Sequence, residues 1–330
     1  MKAIILTKYG PPEVLEVREQ QKPVTRDDEL LIKLAATSVN YGDLVARNFR
    51  AISPAKFNMP LLFWFFAKLY FGIRKPKIRI LGSEFSGVVE SVGKDVKKFQ
   101  AGDEVFGYLG QGMGAYAEYF CMPEKGVITV KPSNLGFEEA AVLPYGAIMA
   151  LYLLEKARLM KGQKVLIIGA SGSIGSAAVQ IAKHFGANVT GLCGSQRVDF
   201  VKFLGADNVV DYTKEEFTSG DEQYDLILDV LGKSSFRQVK STLKEKGIYM
   251  RVSFKFIHLL QMMRTSIGGK KRVICALAPG SVDDLMGVKQ LVEKGAIKAI
   301  IDRKFPFEKT AEAHEYIESG KKKGHVAIVP

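Results

Sequence analysis

Hydrophobic positions along this chain of 330 residues change their spacing near residue 132. Before it, short apolar runs are separated by glycine and proline. Leu30–Leu34 is such a run broken by one lysine, Phe85–Val92 is another, ended by Gly93, and turn signals stand at Gly10-Pro11-Pro12 and Ala101-Gly102-Asp103. The pattern predicts a β-rich region reaching to about Cys121, read as a partly open barrel. After Val130-Lys131-Pro132 the period lengthens, with a helical pattern over Phe137–Leu154. Strand-like and helix-like segments then alternate: Val165–Ile168, Ile174–Phe185, Asn188–Cys193, Arg197–Leu204, Asn208–Asp211, Tyr224–Val230, Ser234–Leu243 and Ile248–Ser253. That alternation predicts a doubly wound parallel sheet, an α/β fold, with Arg272–Leu277 as its last strand. A tail from about Pro279 contains a helix over Val282–Glu293 and ends in a strand at Val326–Val329. It is too short for its own core, so its last strand is expected to return to the first domain.

One junction carries chemistry. The run VLIIGASGSIGSAAVQIAKHFGANV, residues 165–189, places Ala170-x-Gly172-x-x-Gly175 between a strand and a helix, one substitution away from G-x-G-x-x-G. Gly172 would let a diphosphate approach the backbone, Gly175 would let helix and strand pack closely, and the helix N-terminus would receive the anion. At the end of the next strand an NAD site usually carries Asp or Glu for the ribose 2′-hydroxyl. Here stand Gly194, Ser195, Gln196 and Arg197. A carboxylate would repel a 2′-phosphate, whereas a hydroxyl and a guanidinium would bind one, so the residues favour NADPH.

Composition narrows the classes. This length suggests two domains. Hydrophobic content of 47% and charged content of 25% are those of a globular protein rather than a disordered one. Strand-like Ala3–Thr7 follows Met1-Lys2 with no cleavage site, and Cys121, Cys193 and Cys275 form no C-x-x-C pair; a reducing, cytoplasmic setting is expected. The net charge of +12 comes from scattered lysines with no nucleic-acid motif among them, so no nucleic-acid partner is expected.

Several motifs occur in a fixed order: Ser38-Val39-Asn40-Tyr41-Gly42-Asp43; Gly82-Ser83-Glu84-Phe85-Ser86-Gly87-Val88-Val89 through Val92-Gly93; Ala101-Gly102-Asp103-Glu104-Val105-Phe106-Gly107; the 170–175 turn followed by Ala178-Val179-Gln180-Ile181-Ala182-Lys183; and Leu204-Gly205-Ala206-Asp207. Together they resemble the medium-chain dehydrogenase/reductase superfamily over essentially the whole chain, and most of all its zinc-free, NADPH-using quinone oxidoreductase (zeta-crystallin-like) branch. The resemblance implies a GroES-like substrate and catalytic domain from residues 1–122 and 279–330, and an NADPH-binding Rossmann domain from 123–278. It also implies a homodimer. Gly172, Ser173 and Ile174 would lie at the diphosphate, Ser195, Arg197 and Tyr212 around the 2′-phosphate, and Val252 and Ser253 at the nicotinamide ribose. Asn40, Tyr41 and Asp43 would lie beside the nicotinamide, with Tyr41 as a donor to a developing oxyanion; capping of a turn is the other role open to Asn40 and Asp43.

The zinc enzymes of that superfamily use Cys and His ligands in the first two motifs. This chain has Tyr41, Gly42 and Ser83 there, and serine is a poor zinc ligand, so no metal is expected. A hydride donor without a Lewis acid suits acceptors already electrophilic, namely quinones and α,β-unsaturated carbonyls. The expected function is a zinc-independent NADPH-dependent reductase of bulky hydrophobic acceptors, with a non-catalytic NADPH-binding role as the alternative. One stretch stands apart from the resemblance: Leu61–Ile73, LLFWFFAKLYFGI, holds the only Trp. Thirteen residues containing a lysine are too few to span a bilayer. A lid or wall of an apolar substrate pocket, a core insertion and an interfacial anchor all fit it, with the pocket wall expected ahead of membrane contact, and a second apolar stretch, Phe254–Met263, is expected to lie against it.

Overall fold

A computed structural model describes residues 1–268 and 270–330. It divides into two compact units, one of residues 1–55, 65–148 and 280–330, the other of 56–64 and 149–279.

The first unit carries strands β1 (Lys2–Leu6), β2 (Leu15–Glu19), β3 (Glu29–Ser38), β4 (Glu84–Val92), β5 (Glu104–Tyr108), β6 (Tyr119–Pro123) and β7 (Val127–Val130). Its first helices are α1 (Tyr41–Arg47) and α3 (Phe137–Ala141), and α2 (Leu61–Phe71) enters it partway along its length. The tail adds helices α9 (Val282–Glu293) and α10 (Thr310–Glu318) with strands β14 (Ile301–Pro306) and β15 (His325–Val329). β1 and β2 form an antiparallel pair. The larger sheet runs β14-β15-β3-β4-β5-β7, with β6 also on β3. β3 is its longest strand, and its burial on both faces explains the continuous apolar run that marked it in the sequence. As the sequence pattern requires, the last strand returns here: Ala327 pairs with Ser38 and Ile328 with Thr37. The core gathers Ile4, Leu30, Ile32, Phe85 and Val105 with Phe307, Val326 and Ile328 from the tail.

The second unit is built on strands β8 (Lys164–Ile168), β9 (Asn188–Cys193), β10 (Asn208–Asp211), β11 (Tyr224–Asp229), β12 (Leu243–Arg251) and β13 (Arg272–Cys275). All pair in parallel, in the order β10-β9-β8-β11-β12-β13. Numbered within the unit this is 3-2-1-4-5-6, the doubly wound dinucleotide-binding order. Helices α5 (Ser173–His184), α6 (Val198–Phe203), α7 (Phe236–Val239) and α8 (Phe256–Ser266) follow strands of this sheet, and α4 (Pro144–Lys156) leads into it.

Residues 123–148, assigned above to the Rossmann domain, lie instead in the first unit. β7 pairs with β5, which fixes this stretch to the antiparallel sheet. The helical pattern over Phe137–Leu154 is two helices, α3 and α4, divided at Pro144; proline lacks an N–H and suits a helix start.

Candidate active site

The strand-to-helix turn of the second unit has the geometry its sequence suggests. An added Cβ on Gly175 would lie 2.1 Å from the Gly169 carbonyl oxygen and 2.8 Å from Ala170 Cα, so only glycine lets α5 close on β8. At Gly172, the N-cap of α5, an added Cβ meets only the Gly169 oxygen, at 3.6 Å. No packing inside the protein demands glycine there. The bare backbone leaves room at a helix start, where first-turn amides lack carbonyl partners within the helix; Ser173 and Ile174 open that turn.

At the carboxyl ends of β9 and β10, Cys193 pairs with Asp211, which brings Gly194 beside Tyr212 and Ser195 beside Asp211 and Thr213. A Cβ on Gly194 would sit 3.2 Å from the Tyr212 hydroxyl. Asp211 is a neighbour the sequence reading missed. Its Oδ2 accepts the Ser195 hydroxyl at 2.5 Å; its Oδ1 accepts the Thr213 N–H and hydroxyl at 3.0 and 2.7 Å. These bonds hold its carboxyl below the usual range. Arg197 closes the short 3₁₀ turn after β9. Burial pushes the Cys193 thiol up to about 11, with Asp211 adding to the shift and Arg197 opposing it, so both charges act at this strand end.

The ends of β11 and β12 hold a second group of residues that the sequence reading missed. Asp229 is fully buried. Its Oδ1 accepts Gly232 N–H at 2.7 Å, and its Oδ2 accepts the N–H and hydroxyl of Ser234 and the Tyr249 hydroxyl, at 3.0, 2.6 and 3.1 Å. Arg251 donates to Tyr249 Oη and to the carbonyls of Ser234, Gly232 and Ser253, at 2.7, 2.5, 3.0 and 3.1 Å. This pairing fixes two loops, one of which carries Val252 and Ser253. A signal existed: Asp229 and Arg251 each end an apolar run.

In the first unit, Asn40 caps α1. Its Oδ1 accepts Gly42 N–H at 2.9 Å, its own N–H donates to Asp43 Oδ2 at 3.0 Å, and its Nδ2 donates to Ser83 Oγ at 2.7 Å. Asp43 Oδ1 also accepts Gly82 N–H. Asn40 and Asp43 are buried, while Tyr41, at the first helical position between them, is 60% exposed. Burial pushes the Asp43 and Glu84 carboxyls up to about 7 against their hydrogen bonds. Glu84 accepts from the Ser38 hydroxyl and from Tyr145 N–H. Below them His314 is fully buried between Arg47 Nη1 and Tyr116 Oη, each at 3.1 Å. A guanidinium only donates, so His314 Nδ1 accepts, Nε2 carries the proton toward Tyr116, and Tyr116 donates to the Ser38 carbonyl.

Two family models match this chain. Residues 26–132 match the family model described as alcohol dehydrogenase GroES-like domain, and residues 204–328 match the one described as zinc-binding dehydrogenase. The 2-methylene-furan-3-one reductase of Solanum lycopersicum is 31% identical, covering 100% of this chain and 79% of that protein. The chloroplastic NADPH-dependent alkenal/one oxidoreductase of Arabidopsis thaliana is 29% identical over 100% of this chain and 80% of its own. The structure of the quinone oxidoreductase from Coxiella burnetii superposes with a TM-score of 0.84 at 29% identity, covering 100% of this chain and 99% of that one. The chain belongs to the medium-chain dehydrogenase/reductase superfamily. Within it, the chain groups with the quinone oxidoreductase branch, and it is an oxidoreductase that works with a nicotinamide cofactor.

A dinucleotide fits the residues present, because the space beside Gly172 is the room a diphosphate would take. Two predictions follow from this member's geometry. Gly175→Ala forces a backbone overlap and should destabilise the fold by about 1–3 kcal/mol. Gly172→Ala should change stability by less than about 1 kcal/mol yet weaken cofactor binding about tenfold or more. Urea unfolding and a fluorescence titration separate the two effects, and equal stability losses would contradict the assignment.

A further prediction concerns pH. Asp43 and Glu84 keep protons in the fold that the unfolded chain releases near pH 4. Their contribution to stability is therefore full at low pH and lost as pH rises through about 7. His314 and His325, pushed down to about 3 by burial, act oppositely: their contribution is present above the imidazole value and lost as pH falls through about 6.5 toward 3. Glu84→Gln should lose less stability than the parent between about pH 5 and 8, as measured by denaturant midpoints; identical slopes would exclude Glu84 as a source.

Proposed function

We propose that this oxidoreductase is a zinc-independent, NADPH-dependent reductase of quinones or α,β-unsaturated carbonyls, bulky hydrophobic acceptors among them. The single observation that carries the cofactor choice is the end of β9. β9 runs into Gly194-Ser195-Gln196-Arg197 with no carboxylate of its own, and Asp211, which arrives from the neighbouring strand, accepts from Ser195 and Thr213. Arg197 and the Tyr212 hydroxyl supply the cation and donor that a 2′-phosphate requires.

When bound, NADPH supplies the hydride. Gly172, Ser173 and Ile174 would receive its diphosphate, and Ser195, Arg197 and Tyr212 its 2′-phosphate. Val252 and Ser253 would meet the nicotinamide ribose from a loop held by Arg251. Asn40 and Asp43 act through their cap: they fix the first turn of α1 and so the position of Tyr41, whose exposed hydroxyl would donate to the oxygen on which charge develops. Where zinc relatives place ligands this chain has Tyr41, Gly42 and Ser83, and the Ser83 hydroxyl is engaged by the Asn40 amide. Quinones and enones suit such a site because conjugation carries the arriving charge to oxygen without a metal. The named activities of the tomato and Arabidopsis relatives concern the same class of conjugated ketone and alkenal.

The test is a titration of NADPH against NADH, with Arg197→Ala beside the parent and oxidation of NADPH followed with a panel of enones and quinones. NADPH should bind about tenfold tighter or more, corresponding to about 1.4 kcal/mol, and the variant should lose the preference. Equal affinities in the parent would contradict the pocket. Tight NADPH binding with no oxidation by any acceptor would favour the non-catalytic role.

A further inference from the structure

The apolar helix α2 is half-buried along Trp64, Ala67, Lys68 and Phe71 and open to water on its other sides. None of its eleven residues is fully buried, and its exposed side chains range from 40% at Leu69 to 65% at Leu61, with Phe63, Phe65 and Phe66 between them. This rules out the core insertion that the sequence allowed. The helix is nonetheless held at its end. Tyr9 Oη bonds the carbonyls of Phe71 and Gly72 at 2.6 and 2.9 Å, the Phe71 ring packs on Phe49 with centroids 5.0 Å apart, and Lys77 Nζ donates to the Leu69 carbonyl at 2.9 Å. Gly72 turns the chain at φ +109°, where a Cβ would strike the Lys75 oxygen at 2.1 Å.

Charge around α2 is one-sided. From Leu44 to Ser83 the sequence has eight basic residues and no Asp or Glu, and Arg50, Lys56, Arg74, Lys75, Lys77 and Arg79 are exposed. A second stretch repeats the pattern independently. From Lys246 to Val282 there are seven basic residues and again no acid, and α8 within it exposes Phe256, Ile257 and Met263. The two stretches meet: the Asn58 carbonyl accepts the N–H of Phe254 at 2.9 Å and the Ser253 hydroxyl at 3.3 Å. The start of α8 and the approach to α2 are thereby held side by side.

We propose that α2, with the basic residues that flank it, seats this protein on an anionic lipid bilayer. At about 16 Å, α2 is far short of the roughly 30 Å hydrocarbon core. No described helix is long and apolar enough to cross a membrane, so α2 lies in the interface with its aromatic side chains among the acyl chains nearest the headgroups. The flanking lysines and arginines meet the lipid phosphates. An apolar helix with an exclusively basic border fits this partner better than a second copy of the chain, whose matching face would repel it.

The experiment uses the whole protein with phosphatidylcholine–phosphatidylglycerol vesicles and, beside them, pure phosphatidylcholine vesicles. Flotation with the anionic vesicles at low salt, weakened at least tenfold at high salt, is expected. Phe63→Glu/Phe66→Glu and Arg74→Glu/Lys75→Glu should each abolish it while NADPH binding and the circular dichroism spectrum stay unchanged. Failure to float, or equal flotation on neutral vesicles, overturns the proposal. So does a parent dimer that the Phe63→Glu/Phe66→Glu change converts to monomer, which would assign the face to self-association. Because flotation is read without turnover, its failure leaves the reductase reading intact, and failure of that reading leaves the membrane result standing.

Discussion

Burying polar and charged groups obliges a protein to hydrogen-bond them, and this chain meets that constraint beside its candidate site residues. In the parallel-sheet unit, Asp229 and Arg251 end neighbouring strands and share Ser234, Tyr249 and Gly232 as partners. Removing either charge strips a partner from these shared groups, and each buried group left unsatisfied costs about 1–3 kcal/mol. The first unit follows the same logic with Arg47, His314 and Tyr116 under the cap formed by Asn40 and Asp43. Loops that receive ligands cannot be fixed by apolar packing alone, so directional bonds fix them.

The nucleotide-binding portion was legible because its determinants are local. A strand, a glycine turn and a helix within 25 consecutive residues specify both the parallel sheet and the room beside Gly172, and the sheet order follows from the alternation downstream. The return of β15 to β3 was legible for a different reason: a strand in a tail without a core needs a partner elsewhere. The domain boundary was not legible, since β7 belongs to the first unit through its pairing with β5, and pairing partners distant in sequence leave no periodic trace.

The site networks were partly hidden for the same reason. Asn40, Asp43 and Ser83 stand in motifs that draw attention, yet Ser83 meets Asn40 across 43 positions and His314 meets Arg47 across 267. Asp211 was passed over because attention fell on the end of β9, while the carboxylate arrives from the neighbouring strand. Leu61–Ile73 was conspicuous from its composition alone, but three roles fitted it. That no residue of α2 is fully buried removed the core insertion, and the absence of Asp and Glu from residues 44–83 gave the surface its direction.

The central claim is a hydride transfer to a conjugated acceptor performed without zinc, and one measurement addresses it most directly. The protein is dialysed against a strong chelator, its zinc content is measured, and the rate of NADPH oxidation by an enone is compared with that of the undialysed protein. The account predicts less than one zinc per ten chains, on the order of a trace contaminant, and an unchanged rate. Activity that falls with chelation and returns when zinc is restored would contradict it.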